Sequence, residues 1–229
     1  MSSFVDNLQI ISERIDAAAG KSGRNARDIE LMAVTKTLNY SSVATALQSG
    51  ISIIGENRVQ EAAAKHSAAP RKYKLHLIGH LQRNKAKSAA GFFDCIESID
   101  KLETAKVLNE RCAQLNTEID ILVEYNTSGE ETKSGFTAVD ELKAAIEEIM
   151  KLQNIRIRGL MTIAPFTDDV LEVRKAFSSL KSLFDDIKPF IGDQAFSTLS
   201  MGMSSDYEIA IEEGATRVRL GTALFGSRR

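Results

Sequence analysis

The chain lacks what would tie it to a membrane, a nucleic acid or an oxidising compartment. No apolar run approaches the roughly 18 residues that a membrane span requires. The first twenty residues carry Asp6, Glu13, Arg14 and Asp16 among their apolar positions, so they lack the basic segment and apolar block of a secretion signal. An excess of one charge is missing too: 29 Lys+Arg stand against 31 Asp+Glu, a net charge of −2. With a pI near 6.0 this argues against a dedicated nucleic-acid binder. Only two cysteines occur, Cys95 and Cys112, with no CxxC and no neighbouring histidine, as expected for reduced thiols in a cytoplasmic protein. Three prolines punctuate the chain, Pro70, Pro165 and Pro189, each in a stretch that reads as a loop. No low-complexity tract or linker divides it.

What is present is ordinary globular material: 229 residues, 43% hydrophobic and 26% charged. A single domain of that length buries about three-quarters of its unfolded surface and needs neither disulfide nor metal to fold. Short apolar, β-branched runs recur at 31–35, 51–54, 75–78, 95–98, 119–125, 157–163, 196–199 and 216–220. Several are nearly continuous in apolarity, the pattern of parallel strands covered on both faces. Segments with helical spacing lie between them. Phe4, Leu8, Ile11 and Ile15 form one stripe, with Ser2 or Ser3 as N-cap; Leu102, Ala105, Leu108, Cys112 and Leu115 form another, capped by Asp100. Leu142, Ile146, Ile149 and Met150, then Phe177, Leu180, Phe184 and Ile187, make two more, and Gly50 and Gly214 stand where helices should stop. An open doubly wound sheet would usually place a glycine-rich turn after its first strand, but here the chain reads Thr35-Lys36-Thr37-Leu38. The expectation is therefore an α/β fold, a (β/α)8 TIM barrel with an extra N-terminal helix, occupying 1–229 as one domain.

In such barrels, function sits at the carboxyl ends of the strands. Lys36 follows strand one directly. A lysine on a rigid strand tip beside apolar walls can lose its proton and attack aldehydes, although many lysines there are only solvated charges. Strand seven runs into Ser200, Met201, Gly202, Met203, Ser204, Ser205 and Asp206, and strand eight into Gly221 and Thr222. Small residues and hydroxyls in these two loops suit a phosphate, and equally suit tight turns with a helix cap. Alternation puts Arg217 and Arg219 on one face of strand eight; pointing into the barrel, each needs a partner. Arg219 could donate to a pyridine nitrogen, while Arg217 could form an ion pair with Glu56 or Glu124. An aldehyde-reactive lysine, a phosphate cradle and a cation for a ring nitrogen are together what pyridoxal 5'-phosphate requires.

At these positions the sequence also resembles the pyridoxal-phosphate homeostasis proteins, single-domain relatives of the alanine racemase barrel (fold type III). The resemblance is carried by residues 33–37, 55–61 (GENRVQE), 76–85 (HLIGHLQRNK), 133–135, 158–161, 199–204 (LSMGMS) and 218–226 (VRLGTALFG). It implies that Lys36 forms the internal aldimine and that Arg219 faces the pyridine nitrogen. It also implies phosphate contacts from Ser200 and its following loop (Met201, Gly202, Ser204) and from Gly221 and Thr222, with Asn57 near the cofactor. It gives His76, His80, Lys133 and Arg217 no role.

Racemases of this kind carry a second, β-rich domain and take a catalytic tyrosine from the partner subunit, whereas this chain ends three residues after Gly226. Two-base racemisation needs proton donors on both faces of the carbanion. Lys36 serves one face, and none of Tyr40, Tyr73, Tyr125 and Tyr207 is placed for the other. A neutral pyridine nitrogen opposite Arg219 would also weaken the electron sink. The expectation is a non-catalytic carrier that holds pyridoxal phosphate and exchanges it with apo-enzymes, a monomer without nucleic-acid or membrane partners. The alternatives are a pyridoxal-phosphate racemase or lyase, and a Schiff-base aldolase without the cofactor. A metal site is not expected, because His76 and His80 have HxxxH spacing on a strand rather than a helix.

Overall fold

The computed structural model describes residues 3–67, 71–130, 132–192 and 194–226. Eight strands, β1 (Glu30–Val34), β2 (Ile53–Glu56), β3 (Lys74–Leu77), β4 (Cys95–Ile99), β5 (Ile119–Glu124), β6 (Ile155–Met161), β7 (Thr198–Ser200) and β8 (Arg217–Leu220), pair in sequence order. β8 returns to β1, and the sheet is a closed parallel barrel. Helices α1 (Phe4–Lys21), α2 (Tyr40–Gln48), α3 (Val59–His66), α4 (Ala86–Ala89) and α5 (Leu102–Gln114) are followed by α6 (Val139–Ile149), α7 (Val170–Ile191), α8 (Tyr207–Glu212) and α9 (Thr222–Phe225). The chain is thus a (β/α)8 barrel in which α1 is the extra N-terminal helix, packed on α8 and α9. None of the described helices is long and apolar enough to cross a membrane.

The strand period separates two cores. Ala33, Ile54, Leu75, Leu77, Ile96, Ile121, Val123, Leu160, Leu199, Val218 and Leu220 point outward into one continuous layer under the helices. Met32, Val34 and Ile53 with Ile78, and Cys95, Leu122 and Met161 with Ile163, fill the barrel interior. Helix α1 begins at Ser3, whose hydroxyl and Asp6 form a reciprocal capping box, and buries Ile11, Ile15, Ala18 and Ala19 at helical spacing. Ser2 and Pro70 lie outside the described residues.

Several expectations are corrected in detail. Pro189 is inside α7, three residues from its end, rather than in a loop. It sits on the solvent face, where water can satisfy the carbonyl its missing N–H leaves behind. Asp100 does not cap α5; the cap position is Lys101 without a side-chain bond, and the Asp100 carboxylate turns to His80 instead. β2 and β7 start two residues later than their apolar runs, because Ile51 and Phe196 are buried in the connections rather than in the ladder. Arg217 pairs with neither Glu56 nor Glu124. Glu56 faces the helix layer, and Arg217 bonds Glu97 Oε1 at 2.7 Å and Glu30 Oε2 at 3.0 Å.

That last pairing belongs to a polar chain along the barrel axis. His76 Nδ1 lies 2.7 Å from Glu97 Oε1, and Ser200 Oγ donates to Glu97 Oε2 at 2.6 Å. Arg219 Nη1 donates to both Ser200 Oγ and the Ser200 carbonyl at 2.8 Å, and its Nη2 donates to the Thr162 carbonyl at 2.7 Å. Burial alone would push Glu97 up, but Arg217, His76 and Arg219 outweigh it and hold the carboxyl well below the usual carboxylate range. The barrel also needs one close backbone approach. A Cβ on Gly159 would lie 1.6 Å from the Thr198 carbonyl oxygen, next to the register shift between β5 and β6.

Two predictions follow from this frame. Gly159→Ala must push β6 and β7 apart and should cost about 1–3 kcal/mol in urea unfolding; unchanged stability would contradict the close approach. Glu97→Gln leaves two buried guanidiniums short of charge and should cost about 3–5 kcal/mol at neutral pH. Because its folded pKa is depressed, the contribution of Glu97 is complete above an unfolded value of about 4.3 and is lost as pH falls through the lower folded value. The stability gap between variant and parent should therefore close in acid; a gap that is constant with pH would show that packing, not charge, sets it.

Candidate functional site

Lys36 stands two residues beyond the end of β1, half-buried. The alternation that sends Met32 and Val34 into the interior continues to it. Thr37, immediately after, takes a left-handed φ of 63°, which turns the chain sharply away at this point. Below, the preceding residue is clamped. Thr35 Oγ1 donates to Glu56 Oε1 at 2.6 Å, and Lys65 Nζ from α3 donates to the Thr35 carbonyl at 2.7 Å and to Glu56 Oε1 at 2.8 Å. His66 Nε2 is 3.0 Å from the same oxygen and its Nδ1 is 2.6 Å from Tyr73 Oη. Burial raises Glu56, yet the bonds from His66, Lys65 and Thr35 bring it below its ordinary value, so it is a carboxylate. Burial is also the main cause that pushes Tyr73 up to about 12. Sequence reasoning missed the Glu56–Lys65 clamp. The i,i+9 pairing joins a strand to the next helix, and no local spacing signals it.

β1 is flanked by β2 and β8, so the residues that follow those strands are the neighbours of Lys36. Beyond β2, Asn57 is partly buried and its Oδ1 is enclosed with no hydrogen-bond partner. Its backbone is fixed by Gly79, where a Cβ would come within 2.3 Å of the Asn57 carbonyl oxygen. Beyond β8, Gly221 is buried and Thr222 exposed at the start of α9. The loops after β7 and β8 are tied together, since Ala223 N donates to Ser204 Oγ at 3.1 Å and Arg219 N to the Gly202 carbonyl at 3.0 Å. Gly202 has φ 95°, and a Cβ there would strike Ala210 at 2.6 Å, so only glycine lets this loop lie against α8.

The structure thus gathers Lys36, Asn57, Gly202, Ser204, Gly221 and Thr222 at the C-terminal rim, with Arg219 just beneath. It keeps two other expected residues deeper. Ser200 is fully buried with its hydroxyl between Glu97 and Arg219, and the Met201 side chain is fully buried in the outer core. Among the bonds of Arg219, three of its five N–H hydrogens are engaged, all with protein oxygens.

The rim opens on a cavity of about 270 Å3 whose lining includes Asn57, Gly79, His80, Glu124, Asn126 and Thr162. His80 Nδ1 is 3.0 Å from Asp100 Oδ2. Lys133 donates to Glu130 Oε1 at 2.6 Å and to the Ala164 carbonyl at 2.9 Å. Glu124 is pushed up to about 7, first by burial and then by the nearby Asp100 charge, with Arg219 pulling the other way. His76 and His80 belong to different places, the first to the barrel interior and the second to the rim. His76, Cys95 and Glu97 do bring ligand-type atoms within 4.8 Å of one another. Their arrangement is that of a salt-bridge network, because Glu97 Oε1 already receives His76 and Arg217, whose positive charge opposes a cation there.

Known proteins are similar to this chain in sequence and fold. Residues 7–229 match the family described as the alanine racemase N-terminal domain. The pyridoxal phosphate homeostasis protein of Haemophilus influenzae is 36% identical over 97% of this chain and 94% of its own length. That of Aquifex aeolicus is 38% identical over 98% of each. Among solved structures, a protein of unknown function from Bifidobacterium adolescentis superposes with a TM-score of 0.90 at 36% identity, covering 97% of this chain and 94% of the other. PipY of Synechococcus elongatus PCC7942, solved with PLP bound, gives 0.80 at 32% identity over 94% of this chain and all of its own. An alanine racemase of Clostridium difficile, 19% identical, shares the fold at a TM-score of 0.78 over 97% of this chain and 57% of that one. The chain therefore belongs to the alanine racemase N-terminal domain family and, with its nearly full-length relatives, to the pyridoxal phosphate homeostasis proteins.

Proposed function

We propose that this chain binds pyridoxal 5'-phosphate at the C-terminal rim through Lys36, holds it without turning over a substrate, and releases it to apo-enzymes. One observation carries the reading: barrel closure sets the β1 tip bearing Lys36 between the β2 tip bearing Asn57 and the β8 tip bearing Gly221 and Thr222. PipY, solved with PLP bound, is a relative at 32% identity and supports it. The residues present fit the group. The enclosed Asn57 Oδ1 has no protein partner, and the Arg219 guanidinium keeps N–H hydrogens beyond its three protein bonds.

When bound, the cofactor supplies an aldehyde that condenses reversibly with a primary amine. Lys36 supplies that amine, steadied by the Thr35 clamp beneath it. Arg219, oriented by Ser200 and Thr162, donates to the ring nitrogen and keeps it unprotonated. Gly202, Ser204, Gly221 and Thr222 form the phosphate-binding pair of loops. The expected contacts from Ser200 and Met201 are not proposed, because the Met201 N–H is given to the Arg217 carbonyl and the Ser200 carbonyl accepts from Arg219. The tyrosines support holding over exchange chemistry. Tyr73 is spent on His66, Tyr125 bonds the Thr137 carbonyl, Tyr207 is buried at the start of α8 and Tyr40 lies on the exposed face of α2.

The test is direct. The purified protein mixed with pyridoxal phosphate should show a visible absorption band, and borohydride followed by peptide mass spectrometry should place the adduct on Lys36. Lys36→Ala should abolish the band while circular dichroism stays that of a folded barrel. A band that survives the substitution, or an adduct on another lysine alone, would overturn the assignment. Incubation with alanine in deuterated solvent should leave its Cα unlabelled; label would turn the reading to a racemase.

A further inference from the structure

The cavity beside the rim is unusual in what its side chains have left to offer. Three of its donor side chains are engaged inside the protein. Lys133 is held by Glu130 and the Ala164 carbonyl, the Asn126 amide nitrogen donates to the Glu130 carbonyl at 2.9 Å, and the Thr162 hydroxyl donates to the Tyr125 carbonyl at 2.7 Å. Its buried carboxyl is not spent. Glu124 lines the cavity, is 4% exposed, and has no hydrogen-bond partner for its carboxyl among the described residues. Behind it Asp100 places a second carboxyl near Glu124, with its Oδ2 3.0 Å from Nδ1 of His80, which lines the same cavity. Unmet acceptors in a buried polar site are costly unless a donor arrives.

Charge points the same way. The two guanidiniums in and below the barrel mouth, Arg217 and Arg219, act against Glu30, Glu97, Glu124 and Asp206, with Asp100 beside Glu124. The charged and titratable groups around Glu124 itself are Asp100 from the end of β4, Arg219 from β8, His80 from the loop after β3 and Lys133 from the loop after β5. Lys133 is already paired with Glu130, and the Glu124 carboxyl has no hydrogen-bond partner among the described residues, so the site favours a small cation rich in N–H donors.

We infer that this cavity is a subsite for a primary ammonium group, received by the Glu124 carboxylate, with the Asp100 charge beside it. The inference rests on the function proposed above and deepens it, because a primary amine is the class of molecule that competes with Lys36 for an aldehyde. β5, which ends in Glu124, is four strands from β1 in either direction around the closed sheet, so the subsite lies across the rim from the lysine. The ammonium could belong to a free amino acid or to a lysine side chain. The surrounding carboxyls disfavour an α-carboxylate beside the nitrogen, which selects the side-chain amine.

The test uses the cofactor-free protein, so that it does not depend on the pyridoxal reading. n-Butylammonium chloride, titrated with NMR chemical-shift detection at about pH 8.5, should bind saturably and shift Glu124. Affinity should fall about tenfold or more at about pH 5.5, where a carboxyl titrating near 7 is neutral. Glu124→Gln should weaken binding about tenfold, the scale of one charge-assisted hydrogen bond. Tetramethylammonium, equally charged but without N–H, should bind far more weakly to the parent protein, a comparison that needs no substitution. Equal binding of the two cations, no saturable butylammonium binding, or unchanged affinity in Glu124→Gln would overturn the subsite. Nα-acetyl-lysine amide binding more tightly than alanine would identify the side-chain source; the reverse order would overturn that selection. Pyridoxal phosphate binding without butylammonium binding sinks this inference alone, and the opposite result sinks only the function proposed above.

Discussion

Everything at the rim depends on how two arginines are neutralised inside a closed barrel. A buried guanidinium is tolerable only if its charge and its N–H groups are answered nearby. Here Glu97 answers both, bonding Arg217 directly and Arg219 through Ser200. Ser200 is the joint of this chain. Its hydroxyl gives its proton to Glu97 and takes one from Arg219, which fixes the plane of the guanidinium beneath the rim. The electrostatics of the barrel floor thus set the orientation of Arg219 beneath the rim.

The same logic separates two kinds of carboxylate. Glu97 accepts donors at both oxygens and Glu56 accepts three at Oε1. Both are held ionised and both have structural work: one balances arginines, the other steadies Thr35. Glu124 is also buried but receives no donor among the described residues, and burial carries it to about 7. Burial with unequal hydrogen bonding is what divides scaffold groups from groups left available.

Much of this was legible in the sequence, for reasons that differ by element. The barrel could be read because parallel strands covered on both faces are nearly all apolar and alternate with helical stripes; the missing glycine turn after β1 removed the open-sheet alternative. The rim positions of Lys36, Gly221 and Thr222 could be read because a strand end is visible in sequence. The Ser200 hydroxyl could not. Whether a strand-tip serine faces the rim or the interior turns on one residue of register, and β7 begins two residues later than its apolar run. Glu97 and Glu124 were equally hidden. Both lie in apolar runs; Ser200 and Arg217 reach Glu97 from strands far away in sequence, and the charges that act on Glu124 come from β4 and β8. Pro189 misled because proline signals a loop on average, while the last turn of a helix on its solvent side accommodates it.

The closure of β8 onto β1 has one more consequence. A sheet without an outer strand has no row of unpaired main-chain groups to offer. A macromolecule that met this barrel could not add a strand to it. It must engage loops and helices by side chains, and such contacts are readily made and readily broken.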